Sequence, residues 1–158
     1  MTDTTQTASW LEPVISMLDS SDRRGGYFVC FPQYRPDLVM SMAHYCGLEL
    51  LDFRAEYLAP LGWDAAGVPL DTLDEAITEH ITGNTGLVLQ NTEALLAAVT
   101  PEIRQSWAAG FLERDLTVPV IIPIAVFSQD LPPASKRIEF LDPLHIPEEG
   151  LLMRLLET

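Results

Sequence analysis

One short stretch constrains the fold of this chain more than any other: Gly86-Leu87-Val88-Leu89-Gln90-Asn91-Thr92-Glu93. A continuous apolar run is followed there by polar positions and a carboxylate. Apolar runs without polar alternation are typical of strands buried on both faces, as in parallel sheets covered by helices. The polar end would then lie at the carboxyl edge of the sheet, where open α/β folds hold their binding sites.

Other apolar runs complete the predicted sheet. Residues 27–31 and 118–127 resemble the first run, and residues 137–141 form a last candidate strand. Residues 48–53 are shorter and more amphipathic, which indicates a strand nearer a sheet edge. Pro119 and Pro123 cannot donate to a ladder, so we expect strand ends or a bulge at these positions.

Helical patterns separate these strands. The N-terminal segment 9–24 has helical spacing, Gly47 is placed as a left-handed cap, Thr72-x-x-Glu75 is a capping box, and Thr100-Pro101 begins a further helix. Residues 92–99 form a short helix, and a closing helix follows residue 147. The order predicts one α/β domain over residues 1–158, with residues 1–8 frayed. We expect three layers, with a mostly parallel P-loop/RecA-like sheet and helices on both faces.

Residues 54–70 are predicted to form a long loop that carries Tyr57 and Trp63. Long loops in compact domains are often functional. The segment either docks a partner or packs onto the core, and Tyr57 and Trp63 are the candidate contacts.

The charge of the chain excludes one class of function. Nine Lys and Arg against 23 Asp and Glu produce a net charge of -14, which is unfavourable for direct binding of nucleic acid. The acidity suits a cytoplasmic protein, a surface that docks on a basic protein partner, or a mimic of DNA. No apolar run reaches the roughly 20 residues that span a bilayer, and the N-terminus lacks the pattern of a signal peptide. We therefore expect a cytoplasmic protein without membrane contact.

The metal-binding and redox-active residue types show no functional spacing. The two cysteines fit neither a zinc site nor a disulfide framework, and no histidine has a partner at i+3 or i+4. We interpret all five as structural residues: Cys30, Cys46, His44, His80 and His145.

Phosphate-binding chemistry is absent where a P-loop fold would carry it. The G-x-x-x-x-G-K-[ST] loop supplies backbone N–H groups, a lysine and a metal-binding hydroxyl. Here the turn after the first strand, residues 31–37, has no glycine and two prolines. The single lysine, Lys136, lies far along the chain. Arg35 either meets an anion at the helix start or is a solvated or ion-paired arginine, since Asp37 lies beside it.

The other reactions typical of α/β folds lack their motifs as well. No G-x-S-x-G or G-x-G-x-x-G is present, and the first strand ends in Phe31-Pro32-Gln33 without a phosphoryl-accepting aspartate. Asp52 and Glu93 would both lie at the carboxyl edge of the sheet, so joint binding of a metal ion is an alternative. The sequence places no third ligand near either of them. We therefore expect no catalytic residue and no cofactor.

Three of these segments carry a family resemblance: the stretch from Gly86 to Glu93, the Trp107-bearing helix and the run 118–127. Together they resemble the small, BrxF-type P-loop components of bacterial phage-defence systems of the BREX type, over residues 25–140. The family's strand has the form apolar-apolar-apolar-Asp-Asn-x-Glu. Here Gln90 replaces the Asp, so Gln90, Asn91 and Glu93 form a degenerate Walker B-like strand end. The resemblance implies a degenerate member in which nucleotide hydrolysis does not carry over.

The leading hypothesis is a non-catalytic P-loop-like protein that binds another protein, for example within a phage-defence or DNA-processing complex. Arg35, Tyr57 and Trp63 are its candidate contacts, and a homo-oligomer is compatible with it. An acidic DNA mimic that occupies a nucleic-acid-binding protein is the alternative. A metal-dependent enzyme using Asp52 and Glu93 is the third hypothesis.

Overall fold

Five parallel strands form a single sheet in the order β2-β3-β4-β1-β5. The computed structural model describes residues 9–131, 136–140 and 146. The strands are β1 (Gly25–Cys30), β2 (Glu49–Asp52), β3 (Leu87–Gln90), β4 (Pro119–Ile124) and β5 (Arg137–Glu139). The predicted α/β class with a parallel sheet is confirmed, and β2 lies at an edge of the sheet as its amphipathic pattern indicated.

Helices cover both faces of the sheet. They are α1 (Glu12–Ser20), α2 (Pro36–Cys46), α3 (Asp71–Ile81), α4 (Glu93–Leu96) and α5 (Pro101–Glu113). On one face Tyr27 and Val29 of β1 pack with α1 and α2. On the other face Phe28 and Cys30 pack with α3, α4 and α5. Every residue of β1 is buried, because alternate side chains enter two separate cores, and this explains why the strand shows no polar alternation.

Most of the predicted helix ends are found where the local signals put them. Gly47 follows α2 with φ of 70°, a left-handed conformation that glycine adopts without the strain of a Cβ. The Thr100 hydroxyl accepts a hydrogen bond from the Ile103 backbone N–H at 3.4 Å and caps α5.

The predicted capping box at Thr72 and Glu75 is wrong. α3 begins at Asp71, its N-cap is Leu70, and no side chain caps it. The backbone N–H groups of Thr72 and Leu73 donate instead to the carbonyls of Pro69 and Leu70, at 3.1 and 3.0 Å. Because this turn starts α3 before Thr72, Thr72 lies inside the first helical turn and cannot be the N-cap.

The segment predicted as a long loop, residues 54–70, is largely helical in short pieces. A π-helical turn spans Arg54–Leu58, and a 3-10 segment spans Ala59–Gly67 with a break at Gly62 (φ 56°, ψ -121°). Leu58 is buried in the core beneath α3. The segment is therefore attached to the sheet at its beginning and exposed further along.

The prolines of β4 behave differently from one another. Pro119 is the first residue of the strand, as predicted, whereas Pro123 lies inside it opposite Val29. The pairing between β3 and β4 runs only through Val120 and Ile121. Pro123 therefore lies beyond that ladder, where a missing N–H donor removes no strand pairing.

Several predictions lie outside the described residues: frayed residues 1–8, Leu141 as the strand end, His145 and the closing helix after residue 147. Within the described ranges, no helix has the length and apolar character needed to cross a membrane.

Candidate functional site

A cleft of about 350 Å³ opens at the carboxyl ends of β1, β3 and β4. β4 lies between β3 and β1 in the sheet, and the chain leaves β1 toward α2 on one face and leaves β3 toward α4 on the other. Strands whose connections lead to opposite faces leave a crevice at the carboxyl edge of the sheet, which is where open α/β sheets bind ligands. The strand order therefore places the cleft at the expected site of the fold.

One wall of the cleft is the turn between β1 and α2. Phe31 is buried and stacks on Phe140, with ring centroids 5.6 Å apart. Gln33 and Tyr34 follow as exposed lining residues. Pro32 and Pro36 supply no N–H donors here, so the turn presents side chains to the cleft in place of a row of amides.

Arg35 and Asp37 form a buried ion pair beside this turn. The guanidinium Nε and Nη2 donate to the two carboxylate oxygens at 2.9 and 2.8 Å, and the side chains are 4% and 8% exposed. This hydrogen bonding, together with the arginine charge, lowers the pKa of Asp37. Of the two alternatives for Arg35, pairing with Asp37 is the one observed, and the buried side chain offers little surface to a protein partner.

The end of β3 joins a chain of hydrogen bonds across the sheet edge. The Tyr34 hydroxyl donates to Asn91 Oδ1 at 3.0 Å, and Asn91 Nδ2 donates to Asp52 Oδ1 at 2.9 Å. Asn91 has φ of 65°, a conformation that asparagine tolerates better than most residues. Gln90 is buried at 8% exposure and lines the cleft.

Glu93 closes the β4 side of the cleft, a role that the sequence did not indicate. Its carboxylate accepts hydrogen bonds from the backbone N–H groups of Ala125, Val126 and Phe127 at 2.8, 2.7 and 3.0 Å. No side chain caps α4, and the Glu93 carboxylate bonds to the end of β4 instead of to the helix that it begins. The consecutive N–H groups form an anion-binding concavity that the chain fills with its own carboxylate.

Neither carboxylate of the metal hypothesis is positioned as a ligand. Asp52 accepts from the Asn91 amide and from the Ala55 backbone N–H at 3.1 Å, and Glu93 accepts from three N–H groups. N–H donors of the chain itself therefore already bond to both carboxylates. Within the described ranges, no three His, Cys, Asp or Glu residues are grouped to hold a metal ion.

Arg54 is a cleft residue that the sequence analysis missed. It is exposed, begins the π-helical turn after β2 and lines the cleft. Among the described residues it makes no ion pair and no side-chain hydrogen bond. No local pattern identified it, because an isolated arginine after a short edge strand looks like an ordinary surface charge.

Tyr57 and Trp63, the predicted contact residues of segment 54–70, lie in different environments. Tyr57 stacks on Phe53 with centroids 5.1 Å apart and donates to Glu79 Oε2 at 2.5 Å. Burial, reinforced by the Glu79 carboxylate, raises the pKa of Tyr57. Trp63 is 99% exposed and Leu61 is 46% exposed. One part of the segment thus packs onto the fold, and the other projects a large aromatic side chain into solvent.

The cysteines are buried and free of disulfides, as expected of core residues. Burial raises the pKa of both thiols, Cys30 and Cys46, to about 11. His44 contacts Tyr45 edge to face, and His80 lies near the Tyr57 ring. The contacts of both histidines are with tyrosine rings, and their structural role stays a prediction.

No family model, no curated protein and no solved structure matches this chain. What the cleft and the exposed tryptophan do must therefore be inferred from their own chemistry.

Proposed function

We propose that this protein is a non-catalytic member of the P-loop/RecA-like class that acts by binding another protein, for example in a phage-defence or DNA-processing complex. One observation carries the proposal: at the edge where such a fold would hold phosphate, the chain's own groups take up the anion-binding atoms. Glu93 occupies the N–H groups of residues 125–127, and Asp37 neutralises Arg35. A triphosphate would have to displace both.

The strand order supports the first part of this proposal, that the fold is of the P-loop/RecA-like class. In P-loop NTPases, the phosphate loop and the metal-supporting Asp must approach the same phosphates. The turn after β1 and the strand end at Gln90 and Asn91 line one cleft here. The two segments thus lie together, as the proposal requires, and carry prolines and neutral amides in place of phosphate-binding and metal-binding groups. The BREX-type resemblance remains a prediction.

Trp63 supports the second part of the proposal, that the protein acts by binding another protein. An aromatic side chain that is 99% exposed presents a large apolar surface, and aromatic anchors of this kind carry much of the energy of protein interfaces. The net charge of -14 favours a partner with a basic surface, since complementary charge accelerates association.

Nucleotide binding is tested first. Titration calorimetry with ATP and Mg²⁺ should give no heat of binding, and a phosphate-release assay should give no turnover. Binding with a Kd of about 1 μM, or hydrolysis that Gln90→Ala abolishes, would overturn the pseudo-NTPase interpretation.

The contact is tested with the partner that co-purifies stoichiometrically with the chain from its own cell. With both proteins pure, Trp63→Ala should weaken binding about 30-fold, the loss expected for a central aromatic anchor. Ile103→Ala, which truncates a 48% exposed side chain on α5, is the matched control and should leave Kd within about 2-fold. If Trp63→Ala and Ile103→Ala bind the partner with equal affinity, Trp63 is not part of the interface. Binding that disappears as salt rises, with no effect of Trp63, would favour the acidic DNA mimic.

A further inference from the structure

We propose that the cleft at the ends of β1, β3 and β4 binds a small monocarboxylate with an apolar body, whose carboxylate pairs with Arg54. The proposal rests on the cleft and is independent of the proposed protein partner. A volume of about 350 Å³ lies within the range of small-molecule sites, which combine apolar walls with a few polar groups.

The walls of the cleft are apolar on both sides. The apolar side chains that line the cleft come from the turn after β1, from α2, and from the end of β4 and the residues that follow it: Phe31, Val39, Pro123, Ile124 and Val126. Val126 is 70% exposed, although it follows a strand in which every residue is buried. A ligand with an apolar body would cover this surface, and burial of apolar area is favourable.

The charged side chains that line the cleft favour a ligand with a single negative charge. Two cations from the described chain line it, Arg35 and Arg54. The charge of Arg35 is matched by Asp37 at 2.8 Å, whereas Arg54 has no ion-pair partner among the described residues. The lining carboxylate, Glu93, is held by three N–H donors. One unmatched positive charge is left for a ligand.

The shape of the guanidinium favours a carboxylate for that charge. Arginine presents planar, paired N–H donors that match the two oxygens of a carboxylate. A polyphosphate would bring several charges to a site with one unmatched cation, and the backbone donors of residues 125–127 are already occupied. Gln33 and Gln90 line the cleft as neutral amides and can bond a polar group on the ligand body.

The test titrates the ¹⁵N-labelled full chain with octanoate and 3-phenylpropionate, each compared with its neutral amide. Carboxylates should bind at concentrations up to about 10 mM, with amide shifts at residues 33–35, 90–91 and 125–127. The neutral amides should bind about 10-fold more weakly, the loss expected when a charge-assisted hydrogen bond is removed. Equal binding of acid and amide, shifts located elsewhere, or no binding by any probe would overturn the proposal.

A pair of variants isolates the guanidinium. Arg54→Gln should remove the preference for acid over amide. Arg24→Gln removes the same charge from an exposed arginine that pairs with Asp115 outside the cleft, and it should keep the preference. Both variants should show the dispersed spectrum of the folded chain, because both side chains are exposed. An unchanged preference in Arg54→Gln would refute the pairing. Tighter binding of ATP or pyrophosphate than of the acids would overturn the ligand class and, separately, the pseudo-NTPase proposal.

Discussion

Glu93→Ala should destabilise the protein far more than a surface glutamate substitution normally does. The wild-type carboxylate accepts from the N–H groups of Ala125, Val126 and Phe127 at 2.8, 2.7 and 3.0 Å. A hydrogen bond to a charged group contributes about 1.5–3 kcal/mol net. Val126 is 70% exposed, so water can replace the carboxylate at that N–H, and the loss arises mainly at the half-buried Ala125 and Phe127.

These considerations set the expected magnitude at about 3 kcal/mol. For a chain of this length, that corresponds to a decrease in Tm of roughly 6–12 °C. Glu93→Gln should lose less, about 1–2 kcal/mol. Its oxygen can take the position of Oε2, which accepts two of the N–H groups, while its NH₂ then faces the remaining donor at Ala125.

Urea unfolding and native-state hydrogen exchange provide the measurements. The order of stability should be wild type, Glu93→Gln, then Glu93→Ala, with faster exchange at residues 125–127 in both variants. Glu113→Ala, at an exposed position of α5, is the control and should stay within about 0.5 kcal/mol of wild type. If Glu93→Ala falls in the same range as this control, the carboxylate does not hold the end of β4 and our account of the cleft is incorrect.

The other predictions concern the buried charges and thiols. Asp37→Asn removes the carboxylate charge that pairs with the buried Arg35 guanidinium and should lose about 3 kcal/mol at neutral pH. Because the folded-state pKa of Asp37 lies below its ordinary value of 3.8, the stabilisation is complete above that value and is lost as pH falls through the lower one. The difference between wild type and variant should therefore shrink in urea titrations as the pH falls below 3.8, and a pH-independent difference would contradict the pairing. Cys30 and Cys46, with thiol pKa values raised to about 11, should react with maleimide only on unfolding, and rapid labelling of the native protein at pH 7 would show that one of them is accessible.

The cleft separates what was predictable from what was not. The pairing of Arg35 with Asp37 was one of two alternatives considered, since residues two apart meet without knowledge of the fold. The Glu93 bonds join residues 32 to 34 positions apart, and no pattern near Glu93 indicates them. A local signal was wrong at Thr72 as well, because the turn at Pro69 and Leu70 begins α3 before the predicted cap.

The sequence by itself determined the α/β class, the two-sided burial of the central strands and most helix ends, including the caps at Gly47 and Thr100. These features depend on hydrophobic periodicity and on backbone groups a few residues apart, which a linear pattern records. Only the tertiary structure decided the strand order, the anion that fills the β4 turn and the exposure of Arg54 and Trp63. Each of these depends on which distant segments become neighbours, and that outcome is set by packing the whole chain at once.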